Sequence, residues 1–269
     1  MNRTKDTTST IPELLVLGGI PRAGTKLLRR TLGSHPQIRL MPREQRSLQF
    51  YDLSVALHLA VLGAASTGWQ AFRDPAQRRL MLRYARHLLA HHRWREPTSL
   101  DMIHQALVAA LAQPNTQYVG DKYPDYLLHY PRYVHRPRTR CVFIYRDPRD
   151  VVASMTIRVR YGSWGRRPWS TKFDTVAKAT AYWLLGMQCI EDISRLDTNA
   201  LAIRYEDFVT DPKSTVAALA NHLAVPAADF NWSEVHVKGI GKYRETLNEG
   251  EIATVSRLAG AFMQRHNYL

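Results

Sequence analysis

The feature that most restricts this chain is its opening, an apolar run from Glu13 to Ile20 (ELLVLGGI) that closes on glycines and passes directly into a segment of helical spacing. A short continuous apolar run ending in glycine reads as a buried parallel strand followed by a tight turn. Thr25 to Ser34 then places apolar residues at helical intervals and stops at His35-Pro36. Strand, glycine loop and helix in this order point to an α/β architecture.

The rest of the chain agrees with that start. Strand signals return at Gln117 to Gly120, Arg140 to Tyr145 and Ala200 to Tyr205, each followed by a helix-start signal. Strands alternating with helices imply a central, mostly parallel sheet flanked by helices. From about Ser47 to Gln113 the period is helical, with breaks at Gly68, Asp74-Pro75 and Glu96-Pro97. The expectation is one P-loop-like α/β domain over 12–269, a helical insertion or cap at about 47–113, and a flexible N-terminus over 1–11. Arg158 to Lys172, rich in Arg, Gly and Trp, shows no period and reads as a loop; a helical run starts at Gly250.

Composition bounds the partners. With 269 residues the chain buries a core of its own, and 37 Lys and Arg against 23 Asp and Glu give a net charge of +14. Such a field attracts phosphates, sulfates, nucleic acids or anionic lipids without choosing among them. Two cysteines, Cys141 and Cys189, lie in apolar runs and are too few for a disulfide scaffold. Met1 to Ile11 lacks a signal-peptide core, and no window reaches about 18 consecutive apolar residues. A cytoplasmic chain with no membrane partner is therefore expected, and the sequence leaves its oligomeric state unread.

The first strand runs into Gly19-Ile20-Pro21-Arg22-Ala23-Gly24-Thr25-Lys26, where backbone N–H groups of the loop and of the first helical turn would face an anion. Gly19 and Gly24 have P-loop spacing, but Thr25-Lys26 inverts the Lys-Thr order of a Walker loop, which needs the lysine at the β/γ-phosphates and the hydroxyl on Mg²⁺. Arg22 places a cation inside the loop instead. Three other readings stay open at this point: a plain glycine turn, a P-loop kinase or NTPase, and a basic nucleic-acid-binding protein.

A second motif, Arg146-Asp147-Pro148-Arg149-Asp150-Val151-Val152-Ala153-Ser154, begins where a strand ends, the edge at which open α/β sheets bind ligands. Pro148 suits a first helical turn, and Ser154 follows Arg146 by about two turns, so a guanidinium and a hydroxyl face one phosphate. A salt-bridged helix start is the plainer alternative.

These residues resemble the PAPS-dependent sulfotransferases, where PAPS is 3′-phosphoadenosine-5′-phosphosulfate. Gly19 to Thr25 is similar to the family's 5′-phosphosulfate loop, G-x-P-R-S-G-T-T-L-L, and Arg146 to Ser154 to its 3′-phosphate motif, R-D-P-R-D-x-x-x-S. Three further stretches follow in family order: Gly120-Asp121-Lys122-Tyr123-Pro124, Arg204 to Phe208, and Lys238-Gly239-Ile240-Gly241-Lys242-Tyr243-Arg244.

The resemblance implies transfer of a sulfuryl group from PAPS to a hydroxyl or amine, with release of PAP and without a metal. It implies that Arg22, Ala23, Gly24, Thr25, Lys26 and Leu27 hold the 5′ end of the donor. Arg22 would neutralise charge building on the bridging oxygen. Arg146 and Ser154 would bind the 3′-phosphate with Lys238, Gly239 and Arg244, Tyr205 would lie near adenine, and Lys122 would approach the transferring group. Lys26 replaces the family's usual second hydroxyl.

Ser47 sits in the register where many relatives carry a base glutamate, so Glu44 is chosen as general base, with Asp52 and His35 in reserve. Trp164 and Trp169 suit a lid or an acceptor surface. The acceptor is expected to be a small molecule, a natural product or a glycan; nucleic acid is disfavoured, since no recognised motif for it appears.

Overall fold

The computed structural model describes residues 11–65, 74–162, 164, 168–196, 199–237 and 239–269. Five strands form one sheet: β1 (Glu13–Gly19), β2 (Ile38–Leu40), β3 (Tyr118–Lys122), β4 (Thr139–Tyr145) and β5 (Ala200–Arg204), in the order β2-β3-β1-β4-β5. The paired strands run parallel; Ile38 faces Tyr118 across β2 and β3, and Cys141 faces Ala200 across β4 and β5. Leu14, Leu15, Val16 and Leu17 are wholly buried, as are Cys141, Val142, Phe143 and Ile144. Burial on both faces explains why these strands read as continuous apolar runs. Three residues are too few for a periodic signal, and β2 is the strand the sequence does not announce.

The helices are α1 (Thr25–Ser34), α2 (Val55–Ala65), α3 (Pro75–His91), α4 (Leu100–Leu111), α5 (Pro148–Arg160), α6 (Val176–Arg195), α7 (Tyr205–Thr210), α8 (Pro212–Leu223) and α9 (Glu249–Arg265). Short polar side chains start several of them. The Asp74 carboxylate accepts from the Ala76 and Gln77 amides, Ser99 from Met102, Asp147 from Arg149 and Asp211 from Ser214, with proline in the first turn of α3, α5 and α8. Asn248 and Glu251 close a capping box on α9. The sequence breaks at Asp74-Pro75 and Glu96-Pro97 are thus the cap of α3 and the turn before α4, while Gly68 lies outside the described residues, as do residues 1–10 of the expected flexible N-terminus. The loop expected over 158–172 is shorter than that: α5 continues to Arg160, and Pro168–Phe173 forms a 3₁₀ turn.

Two compact units divide the chain. One holds residues 1–15 and 36–121, the other 16–35 and 122–269. In the first, α4 packs on α3, and His58 is fully buried between the Phe50 carbonyl at 2.9 Å and the Tyr84 hydroxyl at 2.8 Å. Burial lowers the pKa of His58, so its ring is held neutral. In the second, α6 packs against α5 and α9, with Trp183 wholly buried and its indole N–H donating to the Arg146 carbonyl at 2.8 Å.

Candidate active site

The glycine loop and the start of α5 both belong to the second unit. β1 ends where Gly19, at φ 143°, lies so close to Ile144 that a side chain would strike its carbonyl oxygen, and the Ile20 amide donates to that same oxygen at 3.0 Å. Gly24 stands before α1 at φ 103°, and a Cβ there would come within 2.6 Å of the Tyr205 ring. Only glycine fits both the torsion and the gap. No side chain caps α1, so its first-turn amides face outward as an anion site does. The Ala23 amide is the exception within the loop, because it donates to the Ile20 carbonyl at 3.0 Å.

Arg22 occupies the left-handed region at φ 71° and donates from Nε to Ser154 Oγ at 2.9 Å. Arg146 Nη1 reaches the Arg22 carbonyl at 3.5 Å. Residues 132 positions apart in sequence thus meet at one surface. Arg146 also pairs with Asp150 at 3.2 Å, donates to the Gly239 carbonyl and stacks its guanidinium 4.5 Å from the Tyr205 ring. Its Nε is buried without a partner. An unsatisfied buried donor beside a helix start suits an anionic ligand.

A second set of bonds fixes this frame. Asp150 accepts from the Gly241 amide at 2.9 Å and the Tyr243 amide at 3.0 Å, which ties the 239–244 turn to α5. Arg149 forks onto Asp147 at 2.7–3.2 Å and donates to the Tyr268 carbonyl at 2.6 Å. Glu206 takes the Asp147 amide at 3.0 Å and the Tyr268 hydroxyl at 3.1 Å. Burial raises the Glu206 pKa above the ordinary carboxyl value, with the Asp147 amide working the other way. Tyr243 lies between Arg149 and Arg244, each 4.7 Å from its ring. Asp150, Arg149, Tyr243 and Tyr268 are the residues that sequence reasoning missed. Asp150 and Arg149 lay inside a motif read only for its arginine and serine, and Tyr268 carries no motif.

The expected site residues divide as follows. Arg22, Ser154, Arg146, Gly239 and Tyr205 come together. Ala23 is buried in the loop and Thr25 at the first position of α1, Leu27 is half-buried on α1, and Lys26 is exposed. Arg244 meets the site through Tyr243, and Lys238 lies outside the described residues. Lys122 is buried at the end of β3, not a surface lysine.

Glu44 lies in the first unit, half-buried between β2 and α2. Asp52 is exposed at φ 66°. His35 is wholly enclosed, with Nε2 on the Pro226 carbonyl at 3.2 Å and a pKa lowered by burial, so it cannot meet an acceptor proton. Ser47 is buried too: its amide and hydroxyl both donate to Asp121, at 2.9 and 2.8 Å, which makes it a structural partner of that carboxylate.

Two further features adjoin the loop elements. Leu27, Arg30, Thr31 and Ser34 of α1 line an open cleft of about 400 Å³ with Asn231, Ser233 and Glu234. Trp164, Trp169, Phe173 and Tyr182 form an aromatic cluster with ring centroids 5.0–6.4 Å apart, and Lys172 lies 4.4 Å from the Tyr182 ring. Tyr182 donates to Asp125 at 2.7 Å, and burial raises its pKa far above that of a free phenol. Among the described residues no cluster of three or more His, Cys, Asp or Glu is placed to hold a metal ion.

A sequence profile described as the sulfotransferase family matches residues 13–229. No curated protein matches the chain. Among solved structures, the sulfotransferase domain of the Synechococcus PCC 7002 olefin synthase is 22% identical, with 93% of this chain and 94% of that one covered and a TM-score of 0.59. The sulfotransferase STF9 of Mycobacterium avium is 15% identical, over 96% of this chain and 77% of that one, with a TM-score of 0.52. The sulfotransferase domain from the curacin biosynthetic pathway is 17% identical, over 94% and 98%, with a TM-score of 0.50. These likenesses show the α/β fold, and the profile match over most of the chain shows the rest: the chain belongs to the sulfotransferase family.

Proposed function

We propose that the chain transfers a sulfuryl group from PAPS to a hydroxyl or amine of a small-molecule, natural-product or glycan acceptor, releasing PAP. The observation that carries this reading is the meeting of the two phosphate motifs, with Arg22 Nε 2.9 Å from Ser154 Oγ and Arg146 3.5 Å from the Arg22 carbonyl. Sheet adjacency of β1 and β4 already brings the two strand ends together; what goes beyond that adjacency is the side-chain bond that joins Arg22 to Ser154.

The donor, when bound, brings an activated sulfuryl group and a leaving PAP anion. The α1 amides and the Thr25 hydroxyl hold its 5′ oxygens. Arg22 exchanges its bond to Ser154 for the bridging oxygen, where charge grows as the bond to sulfur breaks, so it stabilises the transition state more than the bound donor. Ser154 and Arg146 hold the 3′-phosphate, and the unpartnered Arg146 Nε supplies a donor already stripped of water. Tyr205, packed between Gly24 and Arg146, braces both. In this reading adenine lies near Tyr205, and the open cleft beside Leu27 flanks the same helix.

Glu44 remains the base in this reading and Lys122 the cation nearest the sulfuryl group. The aromatic cluster with Lys172 is the acceptor wall. Residues 12–269 act as one functional domain, with 47–113 as its helical insertion. Two unpaired cysteines, their thiol pKa values raised by burial, suit a reducing cytoplasm. Incubation of a metabolite pool with PAPS, followed by mass spectrometry, tests the reading. Gain of SO₃ by one compound class with matching PAP release is expected; PAP formation without any sulfated product would overturn it.

A further inference from the structure

Residues 75–95 hold six arginines, at 78, 79, 83, 86, 93 and 95, with three histidines and no Asp or Glu. The segment covers α3 and the turn after it. Helix α3 turns Gln77, Tyr84 and Leu88 inward. At about 100° per residue, Arg78, Arg79, Leu82, Arg83, Arg86 and Leu89 fall on the opposite side, and all six are exposed.

The apolar members are conspicuous. Leu82 is 49% exposed, Leu89 46% and Trp94 60%. The Trp94 carbonyl accepts the Ala56 amide at 3.1 Å, which places Trp94 beside the first turn of α2, where Leu57 is 49% exposed. Leu82 and Leu89 therefore share the outer face of α3 with the arginines, and exposed Trp94 follows just beyond the end of the helix. The two acids that bound the segment are already engaged, Asp74 by the Ala76 and Gln77 amides and Glu96 by the Arg93 amide and His92, so the outer face of α3 itself carries no acid at i,i+4 to set against its arginines.

Both halves of that chemistry narrow the occupant. Uncompensated arginines call for a dense array of negative charge. Leu82, Leu89 and Trp94 gain only if they leave water, which phosphates along a nucleic acid do not provide. The interface of an anionic bilayer provides both, phosphates for the guanidinium groups and an acyl boundary for the leucines and tryptophan. We propose that the outer face of α3, with Trp94 and Leu57, docks the protein reversibly on an anionic phospholipid surface. Among the described residues no helix is long and apolar enough to cross a membrane, so the attachment is peripheral. Expecting no membrane partner, as the sequence reading does, weighs only spans and leaders, and docking requires neither. The inference is independent of the donor site.

Flotation of the full chain with vesicles tests it, using phosphatidylglycerol mixed into phosphatidylcholine against phosphatidylcholine alone. Binding to the anionic vesicles at least about tenfold tighter is expected, weakening steeply as salt rises above about 0.1 M. The variant R78E/R79E/R83E/R86E should lose it, and R78Q/R79Q/R83Q/R86Q serves in its place if charge reversal disturbs folding, as judged by circular dichroism. Leu82→Ser with Leu89→Ser and Trp94→Ser should weaken binding about tenfold more. Equal binding to both vesicle types, or binding retained by the arginine variants, overturns the proposal. So does binding to duplex DNA or polyglutamate that matches the vesicles and ignores the Leu82, Leu89 and Trp94 changes, since it would assign the face to a soluble polyanion.

Discussion

Arginine does different work in the two units. Around the glycine loop Arg146 and Arg149 are largely buried, and each is fixed by a carboxylate and a backbone carbonyl. On α3 the arginines are exposed and their segment contains no acid. A buried, bonded guanidinium is a positioned tool whose removal strands its partner; an exposed one contributes only to a field that salt can erase. The same residue type therefore predicts large, local losses in one region and small, additive ones in the other.

Removal of Arg146 should give the largest effect. Arg146→Ala is expected to weaken PAP binding by about 2–5 kcal/mol in calorimetry, because Asp150 and the 239–244 turn lose the group that joins them to the phosphate site. Arg22→Ala should reduce kcat by about 10²–10³, with a smaller change in PAP affinity, measured by steady-state kinetics and titration. An equal loss in both would move Arg22 from the transition state to simple binding. Tyr268→Phe, which removes one hydroxyl from Glu206, should lower stability by about 1–1.5 kcal/mol in a denaturant melt.

Acid separates the units through their histidine and glutamate. The His58 pKa is lowered, so the unfolded chain takes up the proton more readily; its contribution is present above about 6.5 and is lost as pH falls through the lowered value. Glu206 runs the other way. Its pKa is raised, so its contribution is full below about 4.5 and declines as pH rises through the raised value. Stability–pH curves of His58→Gln and Glu206→Gln should flatten in opposite directions. Smallest of all, single changes such as Arg79→Gln on α3 should leave stability within about 0.5 kcal/mol.

How much of this was legible depends on what encodes it. The α/β class, β1 and β4 were visible because strands buried on both faces must be apolar throughout, and β5, mostly half-buried, was visible as a short apolar run before a helix-start signal. The phosphate motifs were visible because glycine torsions and a strand-end arginine demand fixed residues at fixed spacing. The partnership of Arg22 with Ser154 was not, since a side-chain bond across 132 positions leaves no periodic mark. Tyr268 was invisible for the same reason. Ser47 shows a different failure: its register suggested a weakened base, whereas it serves Asp121, a role set by burial and not by its neighbours in sequence. The α3 face was in plain view as composition, yet its meaning required knowing which side of the helix is buried.

Calorimetry with PAP in the presence of a chelator tests the central claim most directly, comparing the wild-type chain with Arg146→Ala and Ser154→Ala. The predicted result is one PAP per chain bound without divalent metal, strongly weakened by the first substitution and by about 1 kcal/mol by the second. Failure of PAP to bind, with ATP binding instead in a Mg²⁺-dependent manner, would contradict it.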